Sequence, residues 1–412
     1  MPADVTAFAA QPLCPLPPDK LRAAIELGHW RAGLIFGGTA WLVLTLWLLV
    51  RLRAGAAIAR LAAGVSSRAG VQGLVAIPIW ILILSALELP ASILGHHVGL
   101  HYGLSVEKWP AWWVDWLEST GLTLVLGVAV LGSLYGLIRW SPRRWWLWFW
   151  AFTLPVEVLL TFAAPLVIDP LFNHFTPLAQ TDPALVDQLE RVAARGGLEI
   201  PRNRIFLMDA SRRATGANAY VTGLGASKRI VVWDTTLKIE SPQEILFTYG
   251  HEQGHYVLHH IPKGIAFSAV VFFVFYWIAF RVSGWLVRTR GERWGIESAG
   301  SWSSLGLALL LAVVLNFLAQ PIANTFSRAV EHQADVYGEE VIHGLVPDAQ
   351  AATVSSFCSD AVVWLDDPQP NRFVEFWTYS HPSTEERAQF AAHYDPWLAG
   401  EHPRYVQSPG GL

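Results

Sequence analysis

His251-Glu252-Gln253-Gly254-His255 reads H-E-x-x-H, and the sequence around these five residues decides what kind of chain this is. At 3.6 residues per turn, a spacing of four turns a helix by about 400°, so His251 and His255 share one face. Two histidines on one helical face make a pair of metal ligands, and Glu252 beside them is placed as a general base. The helix is well marked. Ser241 is its expected N-cap, Pro242 suits the first helical position, and Glu244 completes a Ser-x-x-Glu capping box. Pro262 is expected to end it. Gly254 removes a side chain where substrate or another backbone could approach.

With 14 His in 412 residues, such a pattern can arise by chance, and two His four apart can be plain packed or surface residues. A zinc hydrolase needs a third protein ligand and an open fourth position. Downstream, Glu331-His332-Gln333-Ala334-Asp335 puts two carboxylates on one helical face. Glu331 is the candidate ligand. Asp335 is the candidate acceptor for the far ring nitrogen of a ligand His. A solvated acidic helix start is the alternative. The polar stripe Asn316, Gln320, Asn324 just upstream favours the functional reading. His97 and His101 also stand four apart, next to His96, but Gly95, Gly99 and Gly103 suggest a loop there. His259, His260, His332 and His343 are expected on outer faces.

The setting is apolar. The chain is 53% hydrophobic and 15% charged, against about 25% charged for an ordinary soluble domain. Its 21 Trp suit a membrane interface. The net charge of -4 comes without a basic stripe, so no nucleic-acid partner is expected. Two cysteines, Cys14 and Cys358, are too few for a disulfide framework or a Cys-based zinc site. The first thirty residues lack the pattern of a signal peptide, so the first span is expected to serve as an uncleaved targeting signal.

Six segments are long enough to cross the hydrocarbon core, which takes about 20 residues. They are 32–50, 71–94, 120–138, 145–168, 265–287 and 305–322. The second holds Pro78 and Pro90. The fourth is expected to bend at Pro155 and carries Glu157, a functional candidate by its depth or else a hydrogen-bonded packing group. The expected organisation is an N-terminal tail (1–31), four membrane helices (32–168), a first protease segment with the motif helix (169–263), two more membrane helices (264–323), a second protease segment with the third ligand (324–395) and a C-terminal tail (396–412). Within the first polar stretch, 182–195 reads as an amphipathic helix. Residues 204–208, 217–224 and 229–233 read as strands, with Gly223 and Gly225-Ala226-Ser227 turning between the last two. Arg51, Arg53, Arg60, Arg68, Arg143, Arg144, Arg288, Arg290 and Arg293 fall on alternate connections. Lys20, Arg22, Arg31 and Lys108 fall on the others. The charge bias therefore puts both polar stretches on the non-cytoplasmic face.

These residues resemble the M48 zinc metallopeptidases, and within them the Ste24 type, the integral-membrane CAAX prenyl proteases. The resemblance rests on Gly250 to His255 and on Glu331-x-x-Ala334-Asp335. It extends to Asp169-Pro170-Leu171-Phe172-Asn173-His174-Phe175-Thr176-Pro177-Leu178, Asn218-Ala219-Tyr220, and Lys228-Arg229-Ile230-Val231 with Asp234-Thr235. Ser327-Arg328 and Ser380-His381-Pro382 with Arg387 complete it. It covers roughly residues 89–388 in consistent order.

The resemblance implies a mainly α fold: a polytopic bundle of membrane helices enclosing a chamber, with a small α+β, gluzincin-like zinc metalloprotease domain. It implies one Zn2+ per chain, held by His251, His255 and Glu331, with Asp335 behind them. It makes Glu252 the general base and proton shuttle. Asn218, Ala219 and Tyr220 become an edge strand that holds the substrate backbone. His381 and Arg387 would lie over the metal, stabilising the oxyanion or orienting Glu331. The implied partners are a peptide or protein substrate, of CAAX or lipidated type, and membrane lipids. The implied location is multi-pass in a membrane, the cell (inner) membrane in a bacterium. The alternatives are a membrane quality-control protease with the same residues and an inactive, chaperone-like binding protein. Relatives usually have seven spans where this chain shows six. They carry an apolar residue at the place of Gln253, and an acidic stretch where this chain has His96 to His101.

Overall fold

The computed structural model describes residues 12–198, 200–222, 229–398 and 400–406. In chain order its elements are α1 (Pro18–Arg51), α2 (Ala54–Val65), α3 (Ala69–His101), α4 (Trp109–Trp140), α5 (Trp145–Ala163) and α6 (Asp169–Phe172). Then come β1 (Phe175–Pro177), α7 (Pro183–Arg195), β2 (Ile205–Met208), β3 (Ala219–Thr222), β4 (Arg229–Trp233), α8 (Thr236–Ile239) and α9 (Pro242–Val257). The rest are α10 (His260–Trp294), α11 (Leu305–Ile342), α12 (Ala349–Trp364), α13 (Arg372–Thr378) and α14 (Thr384–Ala391). They form two compact units. One holds Trp30–Phe172 and His259–Ala323; the other holds the described residues up to 29, Asn173–Leu258 and 324 onward.

The first unit is helical and apolar. Five helices are long and apolar enough to cross a membrane: α1, α3, α4, α10 and the helix containing α11. The pair Trp145–Thr161 and Leu166–Phe172, bent by 54° at the break between them, makes a sixth if the pair is one span. The break falls at the π-turn Ala164–Ile168 and not at the expected Pro155, which stays inside α5. The π-turn, whose sequence includes Pro165, redirects the hydrogen-bond ladder at that point. The loop expected around His96 to His101 is also corrected, because α3 runs unbroken to His101. In an apolar setting the backbone must satisfy itself, and that outweighs the weak helix preference of Gly95 and Gly99. Gly103, at φ +71, follows the helix end. His96 packs edge-on to Trp109 at 4.6 Å and stacks on Trp112 at 5.3 Å.

The core of this unit joins Leu46, Ile58, Trp80 and Tyr135 to Trp302. Tyr135 stacks on Trp302 at 4.5 Å and shares a 2.7 Å hydrogen bond with Ser304. Glu157 accepts a 2.5 Å hydrogen bond from Ser268 and so ties α5 to α10. An apolar cavity of about 500 Å3 is lined by Leu134, Phe149, Phe272, Tyr276, Leu311 and Asn316, among others.

The second unit is built on a four-stranded sheet in the order β1-β2-β4-β3. β2 and β4 run parallel, opposing Ile205 to Ile230 and Met208 to Trp233, while the two outer pairs are antiparallel. The three expected strands are present. β1 is added by the short stretch Phe175-Thr176-Pro177, which carries no clear alternation to read. The expected turn residues Gly223 and Gly225-Ala226-Ser227, with Leu224 and Lys228, lie outside the described residues. Asp182 caps α7 by accepting from the Leu185 N–H at 2.8 Å. The buried face of α7 (Leu185, Val186, Leu189, Val192) packs with Ile230, Val232, Leu246 and Phe247 into one core. Each such side chain contributes roughly 1.5–3 kcal/mol on burial.

The two cysteines, too few for a disulfide framework by count, form a single disulfide between Cys14 and Cys358. Their separation of 344 residues hides the pairing from the sequence.

Under α9 three carboxyl groups are treated differently by their surroundings. Glu244 accepts from Ser355 at 2.6 Å, from Ser359 at 3.0 Å and from the Ser241 N–H at 2.6 Å. Burial opposes its charge, but these donors hold its pKa below the usual value. Glu240, buried and given only the Thr248 hydroxyl at 3.1 Å, is pushed up to about 8 by burial and by Asp360. Asp360 is pushed up to about 7, again chiefly by burial.

A carboxyl whose pKa is raised on folding costs nothing below its unfolded value near 4, where both states are protonated. Above that value the unfolded chain releases the proton and the fold does not, so stability drains away until the folded pKa is passed. The expected result is a thermal midpoint that falls as pH rises from 5 to 9, by roughly 2–4 °C per kcal/mol. Glu240→Gln should flatten that slope, and thermal unfolding of the detergent-purified protein at both pH values checks it.

Candidate active site

The motif helix begins as its sequence indicates. Ser241 Oγ accepts from the Glu244 N–H at 3.4 Å, and the Glu244 carboxylate accepts from the Ser241 N–H at 2.6 Å. Its end differs. α9 stops at Val257, the chain turns through His259 at φ 58, and Pro262 falls in the first turn of α10. Pro is tolerated there because a first-turn N–H has no intrahelical partner. A left-handed non-glycine residue, unlike Pro, leaves no mark in the sequence.

What brings His251 to Glu331 is a close crossing of α9 and α11. A Cβ on Gly338 would stand 2.8 Å from the His251 nitrogen, and one on Gly250 would stand 2.7 Å from Val341 Cγ1. Gly254 faces Tyr337, with the Tyr337 ring and Cβ 3.0–3.1 Å from its virtual Cβ. It therefore clears space for an aromatic side chain. Gln253 is fully buried and donates to the Ala193 carbonyl at 3.0 Å, which pins α9 to α7. An apolar residue could fill that space but could not make this bond.

The crossing assembles a tight donor set. His255 Nε2 lies 3.2 Å from His251 Nε2. Glu331 Oε2 lies 3.2 Å from His251 Nε2, and Glu331 Oε1 lies 3.4 Å from His255 Nε2. Atoms bonded to one tetrahedral ion at about 2.0–2.1 Å stand about 3.3 Å apart. The two imidazole nitrogens have that spacing, and Glu331 offers one oxygen to each of them, so the three side chains converge as a donor set for a cation. Ligand-capable atoms of His251, Glu252 and His255 also fall within 4.8 Å of one another. Glu331 has one carboxylate oxygen within 3.4 Å of each histidine, which makes it the candidate third ligand, with Glu252 beside the set.

The electrostatics agree. Burial alone would lower the pKa of His251, but hydrogen bonds and charges from Asp335 and Glu331 raise it to about 10. The pocket favours positive charge at that point. Glu252 is shifted the other way from an exposed carboxylate: burial raises its pKa, opposed by His251, His255 and the Val221 N–H.

The supporting shell is well formed. His251 Nδ1 donates to Asp335 Oδ1 at 2.8 Å. Arg387 grips the same carboxylate with both arms, Nη2 to Oδ1 at 2.6 Å and Nε to Oδ2 at 2.9 Å, and lies over the Phe357 ring at 4.4 Å. Arg387 was expected over the metal; its fork is instead committed to Asp335, so it positions His251 through that residue. A buried carboxylate needs a bidentate partner more than an open site needs a bystander charge. His381 is half exposed, with Nε2 3.2 Å from Glu331 Oε2 and Nδ1 2.9 Å from Ser380 Oγ.

β3 lies at the sheet edge. Trp233 N–H donates to the Asn218 carbonyl at 3.0 Å, so Asn218 and Tyr220 bond inward and Ala219 and Val221 turn outward. Thr236 Oγ1 takes the Asn218 N–H at 2.8 Å and donates back to its carbonyl at 2.7 Å. Ala219 is 1% exposed. Of the expected trio, then, Asn218 presents its side chain and Tyr220 its flank, while Ala219 is covered. The Val221 N–H meets Glu252, and its carbonyl points away from β4. Val221, Gly338 and Tyr337 belong to the site but were not singled out by sequence. Gly338 was legible in part, because Glu331, Asp335 and Gly338 share a face at i, i+4 and i+7.

Residues 179–395 match the model of peptidase family M48. The chain belongs to peptidase family M48. Residues 26–174 match the CAAX prenyl protease N-terminal model, described as five membrane helices. An uncharacterized metalloprotease of Bacillus subtilis (strain 168), YhfN, is 34% identical over 310 residues, covering 75% of this chain and 71% of that one. CAAX prenyl protease 1 of Saccharomyces cerevisiae is 27% identical, covering 73% and 67%. The CAAX prenyl protease 1 homolog of Oryza sativa subsp. japonica is 28% identical, but the match spans 62% of its length, under two thirds. The crystal structure of S. mikatae Ste24p superposes with TM-score 0.78 at 22% identity, over 92% of this chain and 90% of that one. This M48 protein is a multi-pass membrane metalloendopeptidase with the Ste24p fold.

Proposed function

We propose that the chain is a zinc metalloendopeptidase that cuts an extended polypeptide segment held along β3. One observation carries the metal assignment: His251 Nε2 and His255 Nε2 stand 3.2 Å apart, and Glu331 turns one carboxylate oxygen to each of them, at 3.2 and 3.4 Å, so the three side chains converge as a metal donor set does. Zinc, held by these three residues, supplies the Lewis acidity that activates water and polarises the scissile carbonyl.

The chain supplies the rest. Glu252, held against the Val221 N–H, takes a proton from the attacking water and later hands it to the leaving amine. Asp335, clamped by Arg387, keeps His251 in the tautomer whose Nε2 faces the metal position. His381 Nε2, half exposed and 3.2 Å from Glu331 Oε2, is the donor for the negative charge that develops on the carbonyl oxygen. Residues 220–222 pair with the substrate backbone through the Val221 carbonyl. This is a recognition by backbone and not by side-chain identity.

C-terminal processing of lipidated chains, the reaction named for the CAAX relatives, is the second reading. Besides those names, its support is the apolar cavity of the membrane unit, whose lining would suit a lipid tail. The test measures metal content by mass spectrometry and cleavage of one peptide with and without a prenyl tail. One zinc per chain and cleavage of both peptides at similar kcat/KM is the expected result. Absence of zinc from active protein would remove the metal assignment, and cleavage confined to the prenylated peptide would establish the second reading.

A further inference from the structure

Both cysteines of the chain are consumed in one bond, Cys14 to Cys358, and none is left free. The seat of Cys14 is built independently of sulfur. The Glu385 carboxylate accepts the backbone N–H of Leu13 at 2.8 Å and of Cys14 at 3.1 Å. Cys14 is 3% exposed and packs into the core of the protease unit. Such structural disulfides persist in oxidising compartments and are rare in the cytosol.

The bond also sets a parity. Its two ends must lie on one side of the membrane, so an even number of crossings separates residue 14 from residue 358. Five straight spans would put them on opposite sides. Six, counting the broken α5–α6 pair, put them together.

Charge gives the same answer from other residues. The C-terminal ends of α1 and α10 and the segments that follow α1 and α4 carry Arg51, Arg53, Arg60, Arg68, Arg143, Arg144, Arg288, Arg290 and Arg293. The structure gathers these segments at one end of the membrane unit. Arg53 Nε donates to the Arg293 carbonyl at 3.0 Å, and Arg139 Nε donates to the Gly300 carbonyl at 2.9 Å. Trp302 Nε1 donates to the Ala69 carbonyl at 2.9 Å. An arginine-rich end of a membrane bundle is its cytoplasmic end. The cysteines belong to segments an odd number of crossings away from it.

We infer that the protease unit works outside the cytoplasm, clipped by the Cys14–Cys358 bond, and that its substrates are polypeptide segments exposed on that oxidising face. This deepens the endopeptidase reading and rests on it for the word substrate. It opposes a role on cytosolic lipidated chains.

The test uses the full chain in intact spheroplasts. After reduction of intact spheroplasts with a membrane-impermeant reductant, wash-out and denaturation, a polyethylene-glycol maleimide should add twice to the wild-type chain, as resolved on denaturing gels. Without reductant it should not add, even after denaturation. Reporter cysteines in a Cys14→Ser, Cys358→Ser background give a second reading. Leu398→Cys, at a position 88% exposed, should label from outside; Leu52→Cys, at a position 76% exposed, should label only after lysis. Two adducts without reduction, protection until lysis in the wild type, or the opposite reporter pattern would each overturn the inference. None of these readouts requires turnover, so an inactive protein with the expected labelling would count against the peptidase reading alone.

Discussion

Replacing Glu252 with Gln is expected to lower kcat/KM toward the upper end of the ~10²–10⁴-fold range for general acid–base catalysis. Zinc content and far-UV circular dichroism should stay unchanged. The reasoning starts from shape. Gln keeps the size of the side chain and an oxygen to accept the Val221 N–H, so β3 and α9 keep their contact. Gln also removes the negative charge that can take a proton, and with it both proton transfers. The donors of the metal set, His251, His255 and Glu331, are untouched. Hydrolysis within about tenfold of wild type by a metal-loaded variant would take Glu252 out of the mechanism. The same variant, holding substrate uncut, is the natural trap for identifying what the enzyme cuts.

The second large effect concerns metal retention and ranks three residues. Glu331→Ala should abolish stoichiometric zinc binding, because two neutral imidazoles then face the ion without an anionic partner or a third ligand. Asp335→Asn should weaken zinc by about 10–100-fold, the usual consequence of disturbing the group behind a ligand His. It keeps a hydrogen-bond acceptor for His251 but loses the charge that Arg387 grips with two bonds of 2.6 and 2.9 Å. Arg387→Lys should sit between Asp335→Asn and wild type, since Lys keeps the charge but not the fork. Competition titrations with a chromophoric chelator give the order directly. Retention of one zinc by Glu331→Ala would show that Glu252 or His381 is the third ligand instead.

Much of the site could be read in the chain before any fold was known, and the reason is local. The spacing of His251, Glu252 and His255 acts within one turn of helix, and the Ser241/Glu244 cap is a matter of three residues. Apolar runs of membrane length are also local, so the five long apolar helices were visible, though α1 begins at Pro18, well before its apolar stretch. What failed was of two kinds. The bend was assigned to Pro155 and the helix end to Pro262, because Pro is the conspicuous breaker. A π-turn at Ala164–Ile168 and a left-handed His259 did the work; Pro165 marks the first but was passed over for Pro155, while the second leaves no sequence mark. Gly95 and Gly99 suggested a loop that an apolar environment does not allow.

The sequence by itself determined the chemistry on offer: two imidazoles and a carboxylate on one helical face, a second acidic pair further on, and spans that place both beside a membrane. Only the tertiary structure decided which groups meet. Gly250 and Gly338 bring α9 and α11 close enough to set three donors about one ion's width apart. Arg387 is spent on Asp335 rather than on the open site. Cys14 finds Cys358 across 344 residues. Contacts between elements far apart in the chain depend on packing, which no local pattern encodes, so helices can be read from their own residues while their crossings cannot.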